Sequence, residues 1–541
     1  MRGRRGDMED REIELRKTGK TCILLAGLLC LAEAFSLASA AAQPQAAAAA
    51  VAATSQAMAG QATNGQVSGG QANDGQANNG QANNDQANND QASPDQAMNR
   101  QAGNGQAGNG QAANRLLADD QAAAGSSAAQ VPLGGSEAAA APQIAFHARR
   151  VRIVWPVVAR AVRYEVVLLS GPEDTPDNVV ARQDYIYTNG VELDLTPYGD
   201  DAAGLYWKVY PLDHDGHAIA DSTTPLPIAS GTPDPTAPLP TTEFEQMDYA
   251  PLYPVFSWIP TLGAKHHIIE VYRERDGEKK VVRTLTGGEY DVYEEGGYTV
   301  PGRYDWRVRA VDDAGTPISD WSAFASFDVT APTPVAALGD SITHGGGAMT
   351  VPPGYLIYDW ETYSPVPVKN LGYSGNTTAA MLERFERDVL PFSPRVLVIM
   401  GGVNDYRGTT YGSETVANLA AIRAKCDAYG IIPVFATVTP INPGLILRYG
   451  QIEVPPADWQ VHRDYINRWI MEQTYAVDVA SALQDANGWL DARYTTDGLH
   501  PDDYGKREIG ECIGAYLAAH FPWITDHLVK KPVPQALQAA P

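Results

Sequence analysis

Four cysteines in 541 residues are too few for a disulfide scaffold. Cys22 and Cys30 fall in an N-terminal apolar run, and Cys426 and Cys512 lie in helical patterns, where buried free thiols are expected. Positive charge is also scarce. Against 64 Asp and Glu stand 40 Lys and Arg, a formal net charge of -24. No basic cluster interrupts this excess in the globular part, which argues against nucleic acid or an anionic membrane as a main partner. Long apolar runs are missing as well, with one exception, "TCILLAGLLCLAEAFSLASAAA". Basic residues precede it, and Ala38-Ser39-Ala40 is a small-residue cleavage pattern. Residues 1–40 therefore read as a signal peptide, with an uncleaved anchor as the alternative. No later stretch approaches the roughly 20 apolar residues that span a bilayer. The expectation is a bacterial protein that is secreted or held at the cell surface, without an integral span after cleavage.

Residues 41–142 offer almost no apolar surface. A pentad with Gln in its second place recurs from Gly60 to Asn114, as in GQATN, GQVSG and GQAND. Such a composition cannot offset the entropy of ordering and reads as a flexible, disordered spacer. A self-associating Gln/Asn segment is the rival reading, opposed by frequent Gly and the near absence of aromatics.

Two segments then look like copies of one β module, residues 143–232 and 241–331. Trp155 aligns with Trp258, Trp207 with Trp306 and Asp213 with Asp312, at offsets of about 100 residues. "YWKVYPLDHDG" and "YDWRVRAVDDAG" alternate with a period of two and end in a glycine turn. Each copy is expected to be a β-sandwich with one Trp per sheet in its core. His266 and His267 are adjacent on a strand, so they face opposite ways and suit the surface better than a shared metal. The two copies resemble fibronectin type III modules, which fits contact with glycan or the cell surface.

From Pro334 the pattern changes to α/β. "VAAL", "VKNL", "RVLVIM", "IIPVFATV" and "AVDVA" read as buried strands, and amphipathic helices lie between them. Alternation of this kind argues for a parallel sheet covered on both faces, with ligands at the carboxyl ends of its strands. Four polar motifs fall at those ends or in the last loop. Ser341 follows the first strand in "GDSITHGGG", Gly375 the second, and Asn404 the third, in "GGVND". Asp497 and His500 lie in "TTDGLHPDDYG", ahead of the last helix.

A serine hydroxyl needs a base, and the base needs an orienting carboxylate. The developing oxyanion needs preorganised donors. Ser341, His500 and Asp497 supply the first set. The backbone N–H groups of Ser341 and Gly375 and the Asn404 amide supply the second. His344 competes as the base, but three residues after Ser341 it points along the wall. Thr343 stands where a G-x-S-x-G elbow has its second glycine. Gly345-Gly346-Gly347 lacks the lysine of a phosphate loop. Acyl transfer by these groups needs no metal and no cofactor.

The four blocks resemble the SGNH (GDSL-type) hydrolase superfamily of serine esterases and lipases, over residues 333–525. The resemblance implies a three-layer, flavodoxin-like α/β fold. It also implies Ser341, His500 and Asp497 as the catalytic set, with Ser341, Gly375 and Asn404 forming the oxyanion hole. That scaffold does not use a sharp elbow, which accommodates Thr343.

The substrate is expected to be an ester. The insertion between the first two blocks carries Tyr355, Tyr358, Trp360 and Tyr363, and Tyr373 and Tyr406 stand ready to join them in an aromatic substrate wall. Core packing is the competing role for all six. A second loop, "INPGLILRYGQIEVPP", could cap an acyl pocket. Export, spacer and β modules suit O-acetyl groups on an extracellular polysaccharide. A lipase or lysophospholipase, or a surface adhesin, is the alternative. Residues 526–541 read as a disordered tail.

Overall fold

The computed structural model describes residues 148–275, 277–347, 351–449, 453–534 and 537. The signal segment and the pentad repeat lie outside them. Two antiparallel sandwiches precede an α/β domain.

The first sandwich has seven strands: β1 (Arg150–Val154), β2 (Arg163–Leu169), β3 (Val179–Ile186), β4 (Gly190–Asp194), β5 (Tyr206–Leu212), β6 (Leu226–Pro227) and β7 (Thr232–Pro233). They form sheets in the orders β4-β1-β7 and β3-β2-β5-β6. Inward positions alternate as a strand requires. Val151 and Ile153 of one sheet meet Tyr164, Val166 and Val209 of the other in a self-contained core. Trp155 and Trp207 sit in that core with ring centroids 6.4 Å apart.

The second sandwich repeats the plan with β8 (Leu239–Pro240), β9 (Val255–Ile259), β10 (His266–Arg275), β11 (Glu278–Gly287), β12 (Asp291–Tyr293), β13 (Gly302–Val311) and β14 (Ala325–Val329). Its sheets run β12-β9-β8 and β11-β10-β13-β14. Trp258 and Trp306, one on each sheet, are fully buried. His266 is exposed and His267 faces inward, so the surface expectation fails for His267. Its ring packs on Trp258, and its Nδ1 lies 2.8 Å from the Gly288 carbonyl. Burial lowers its pKa to about 4 and keeps the ring neutral.

In the last domain β15 (Val335–Gly339), β16 (Lys369–Gly372), β17 (Val396–Met400), β18 (Ile432–Ala436) and β19 (Ala476–Val477) form a wholly parallel sheet in the order β16-β15-β17-β18-β19. All five residues of β15 and of β17 are buried, as strands covered on both faces must be. The helices are α1 (Ser341–His344), α2 (Trp360–Tyr363), α3 (Thr378–Glu383), α4 (Phe385–Val389), α5 (Val403–Tyr406), α6 (Gly412–Tyr429), α7 (Pro443–Tyr449), α8 (Trp459–Met471), α9 (Asp503–His520) and α10 (Trp523–His527). The stretch expected as one helix, "TTAAMLERFERDVL", breaks at Arg384 into α3 and α4. Arg384 turns its guanidinium inward at the break, to the Leu371 and Gly339 carbonyls. Part of the loop expected to cap an acyl pocket is α7. Among the described residues, no helix is long and apolar enough to cross a membrane.

The second sandwich and the catalytic domain share one continuous core. Tyr355 reaches across to the hydroxyls of Thr241 and Ser257. Tyr253 donates to Asp388 at 2.7 Å, and the backbone of Leu252 bonds that of Asn370 at 2.9 Å. The described part of the C-terminal tail is ordered onto this interface, against expectation. Lys530 reaches the Glu361 carbonyl and Asp248, and Leu537 is buried. Lys531 Nζ also donates to the Glu245 and Met247 carbonyls, and the two ammonium groups give that segment enthalpy to set against its entropy.

Candidate active site

β15 delivers the chain to Ser341 with no slack. A Cβ on Gly339 would lie 2.3 Å from Thr343 Oγ1 and 2.5 Å from the Met400 carbonyl, so only glycine fits. Asp340 caps the following turn, its Oδ1 accepting from Ile342 N at 3.0 Å. Burial pushes that carboxyl up to about 6. Asp340 therefore acts as a turn-holding group.

Ser341 Oγ lies 3.0 Å from His500 Nε2, and His500 Nδ1 lies 2.8 Å from Asp497 Oδ2. All three residues are buried. The second oxygen of Asp497 accepts from the N–H groups of Leu499 and His500, both at 2.8 Å, and from the Thr495 hydroxyl at 3.3 Å. Burial favours protonation of Asp497, but His500 and these amides outweigh it and hold the carboxyl below its usual range. Gly498 makes the tight return possible at φ 85°, where a Cβ would also strike the Asn442 carbonyl at 2.6 Å. A chain of serine, imidazole and carboxylate held this way can move a proton from the hydroxyl to the ring.

Gly375 sits exposed at the tip of the turn after β16. Asn404 lies opposite on α5, and its Nδ2 donates to the Asn376 carbonyl at 2.9 Å. Arg407 Nε donates to Asn404 Oδ1 at 3.2 Å, which fixes the amide so that its NH₂ faces the Gly375 turn. Asp405 ties the N-terminus of α3 to this loop by accepting from Thr378 N at 2.9 Å. Below them, Arg384 Nε donates to Asn376 Oδ1 at 2.6 Å.

His344 does not approach Ser341 as a base. Its Nδ1 lies 2.9 Å from Ser374 Oγ and its Nε2 2.6 Å from the Tyr253 carbonyl. Because a carbonyl only accepts, Nε2 carries the proton and Nδ1 receives the serine. Burial lowers the ring's pKa to about 4, so it is neutral. His344 thus links the second sandwich to the residue beside Gly375.

The aromatic wall does not form as expected. Tyr355, Tyr358, Trp360 and Tyr406 are fully buried. Tyr355 bonds the second sandwich, Tyr358 accepts from Arg160 N at 3.0 Å, and Tyr406 donates to the Thr439 carbonyl at 2.6 Å. Tyr363 is partly buried and pinned to the Ile357 carbonyl. Tyr355 and Tyr358 thus fill the contact with the sandwiches, while Trp360 and Tyr363 pack on α9 of the same domain. Only Tyr373 stays beside the Gly375 turn, edge-on to Tyr253 at 4.7 Å. Asp213, Asp215 and His217 bring ligand atoms within 4.8 Å of one another on the first sandwich. Asp215 already pairs with Arg448, which makes that group a docking contact.

Residues 337–508 match the model of the GDSL-like Lipase/Acylhydrolase family. The C-terminal domain is a GDSL-like acylhydrolase domain. It is thereby a hydrolase acting on esters. No curated protein matches the chain. Solved structures similar to the acylhydrolase domain include a GDSL-like lipase from Bacteroides thetaiotaomicron, at 24% identity over 35% of this chain and 88% of that one, with a TM-score of 0.28. The lipase/acylhydrolase from Enterococcus faecalis is 22% identical over 34% of this chain and 95% of its own, with a TM-score of 0.29. A catalytic mutant of an acetylxylan esterase from Geobacillus stearothermophilus is 19% identical over 35% and 95%, with a TM-score of 0.27.

Sequence reasoning missed Arg384, Arg407, Lys506 and the role of His344. Arg384, His344 and Lys506, which bonds the Ile342 carbonyl, act through partners far away in the chain, and Arg407 acts on Asn404 three residues before it with no motif to signal the contact.

Proposed function

We propose that this is an exported serine esterase that removes O-acetyl groups from an extracellular carbohydrate. The observation that carries the reading is the continuous chain from Ser341 Oγ through His500 to Asp497, at 3.0 and 2.8 Å. His500 takes the Ser341 proton as Oγ attacks the ester carbonyl. The carbonyl electrons move onto oxygen, and the Ser341 and Gly375 N–H groups with the Asn404 amide receive that charge. As the intermediate collapses, His500 returns the proton to the leaving alcohol. An acyl-enzyme on Ser341 remains. Water, deprotonated by His500, then releases the acid and restores the serine. Asp497 stays ionised and holds the imidazole in the Nδ1–H form.

A short acyl group is favoured by where the apolar side chains went. Tyr355, Tyr358 and Trp360 are consumed in packing, and Ile446 is buried. The side chains on the catalytic loops are mostly polar, including Asn404, Arg407 and Thr495, with the apolar Leu445 placed against Gly498. A long acyl chain would need a continuous apolar wall.

The test is turnover of 4-nitrophenyl esters of increasing acyl length by the full chain and by Ser341→Ala. Acetate is expected to be preferred, and the variant is expected to be inactive yet folded. Retained turnover in Ser341→Ala sinks the mechanism, and a long-chain optimum replaces the acetyl reading with a lipase. Silence on every ester and on acetylated glycans favours an adhesin.

A further inference from the structure

The first sandwich and the acylhydrolase domain enclose a groove of about 660 Å³. That volume lies within the ~300–1,000 Å³ of ordinary ligand sites. One wall is formed by Arg160, Asp213 and His214 of the sandwich, and the other by Tyr449, Thr495 and Thr496. Arg160, Asp213 and His214 lie outside the residues that match the family model.

Its place is informative. Thr495 and Thr496 open the loop that carries Asp497 and His500, and Thr495 Oγ1 is 3.3 Å from Asp497 Oδ1. Burial lowers the pKa of His214, and the nearby Asp497 charge opposes that shift. The groove therefore runs up to the His500 side of the site. Its chemistry is mixed. His214 and Tyr449 stack with centroids 4.2 Å apart, giving an aromatic ledge. Two hydroxyls, a guanidinium and a carboxylate interrupt the apolar surface around it. Arg160, Thr495 and Thr496 already have partners in the protein, and their remaining donor and acceptor capacity, with the ledge to stack on, suits a hydroxyl-rich sugar chain better than an acyl chain.

The walls are also preassembled. Arg160 donates through Nη2 to the Ala492 carbonyl at 3.2 Å, and its Nε stands 3.7 Å from the buried Asp502 carboxylate. Arg448 pairs with Asp215 on the same seam. A site held open before binding loses less entropy when filled.

We infer that this groove binds the carbohydrate chain bearing the ester, with the first sandwich as one wall of the substrate site. The inference rests on the esterase reading of Ser341. It makes the sandwich part of the enzyme's specificity and not only a spacer.

Ala220 and Ala492 line opposite walls and are exposed. Ala220→Trp and Ala492→Trp fill the groove without touching a core. The full chain and both variants are assayed on 4-nitrophenyl acetate and on acetylated xylo- and cello-oligosaccharides of increasing length. For the unmodified protein, kcat/KM is expected to rise with oligosaccharide length. In both variants the ratio of kcat/KM on the longest oligosaccharide to that on 4-nitrophenyl acetate should fall about tenfold or more, mainly through KM. A flat length dependence, or a ratio unchanged in either variant, overturns the inference. The esterase reading fails separately, through activity that survives Ser341→Ala on either substrate.

Discussion

Lys506 Nζ donates a 2.6 Å hydrogen bond to the carbonyl of Ile342, the residue after Ser341. Lys506 lies one turn into α9, the helix that begins just beyond His500. A single buried ammonium therefore fastens the His500 loop to the Ser341 turn. Burial lowers its pKa to about 8, opposed by the charges of Glu361, Asp359, Asp340 and Asp502. Lys506→Met keeps the side chain's bulk but leaves the buried Ile342 carbonyl without its donor. An unsatisfied buried acceptor costs about 1–3 kcal/mol. The expected result is a lower urea midpoint and a fall in kcat that exceeds any change in KM. A variant with wild-type midpoint and kcat removes Lys506 from this role.

Asn404 is held from both sides, by the Asn376 carbonyl and by Arg407. Asn404→Asp preserves shape and still accepts from Arg407, but it offers no donor to an oxyanion. The expected loss is on the order of 10²–10³ in kcat, with a lowered urea midpoint because a carboxylate oxygen then faces the Asn376 carbonyl in place of a donor. Steady-state kinetics with 4-nitrophenyl acetate measures it, and a kcat within a factor of two or so of wild type contradicts the oxyanion role.

The neutral His344 ring sets a pH dependence whose sign can be worked out. Its pKa is about 4 in the folded protein, against an ordinary 6.5. Between these values the unfolded chain binds the extra proton. The contribution to stability is therefore whole above pH 6.5 and is lost as pH falls toward 4, by at most about 3 kcal/mol. His344→Gln cannot take up that proton. Urea midpoints at pH 7 and pH 4.5 should differ less for the variant than for wild type. Equal differences in the two proteins count against it.

Tyr355 joins the second sandwich to the catalytic domain through its hydroxyl and a buried ring. Tyr355→Ala is expected to cost about 3–5 kcal/mol through the cavity it opens. Because the two domains share a core, calorimetry should show their transitions lowered together. Tyr355→Phe should leave kcat/KM on 4-nitrophenyl acetate unchanged. A raised KM in Tyr355→Phe would return this ring to the substrate wall.

Much of the catalytic domain was legible in the chain itself. The β-branched runs at 396–400 and 432–436, each followed by a helical period, specify buried parallel strands. Parallel strands put their carboxyl ends on one rim, which is why Ser341, Gly375, Asn404 and Asp497-x-x-His500 could be grouped before any coordinates. The paired tryptophans 155/207 and 258/306 likewise announced two sandwich cores. Periodicity reports that a side chain is buried, but not which neighbour it meets. Tyr355 and Tyr358 have the same pattern whether they line a cleft or a domain contact, and only the docking of the two sandwiches decided for the contact. His344 meets its partner 91 positions away, and Lys506 meets its partner 164 positions away. The first pairing follows from how the second sandwich packs on the catalytic domain, and the second from how α9 packs on the Ser341 turn within it. The sequence alone determined the order and spacing of the reactive groups. The tertiary structure decided what supports them from behind and which surfaces border them, because those contacts join elements that share no local signal.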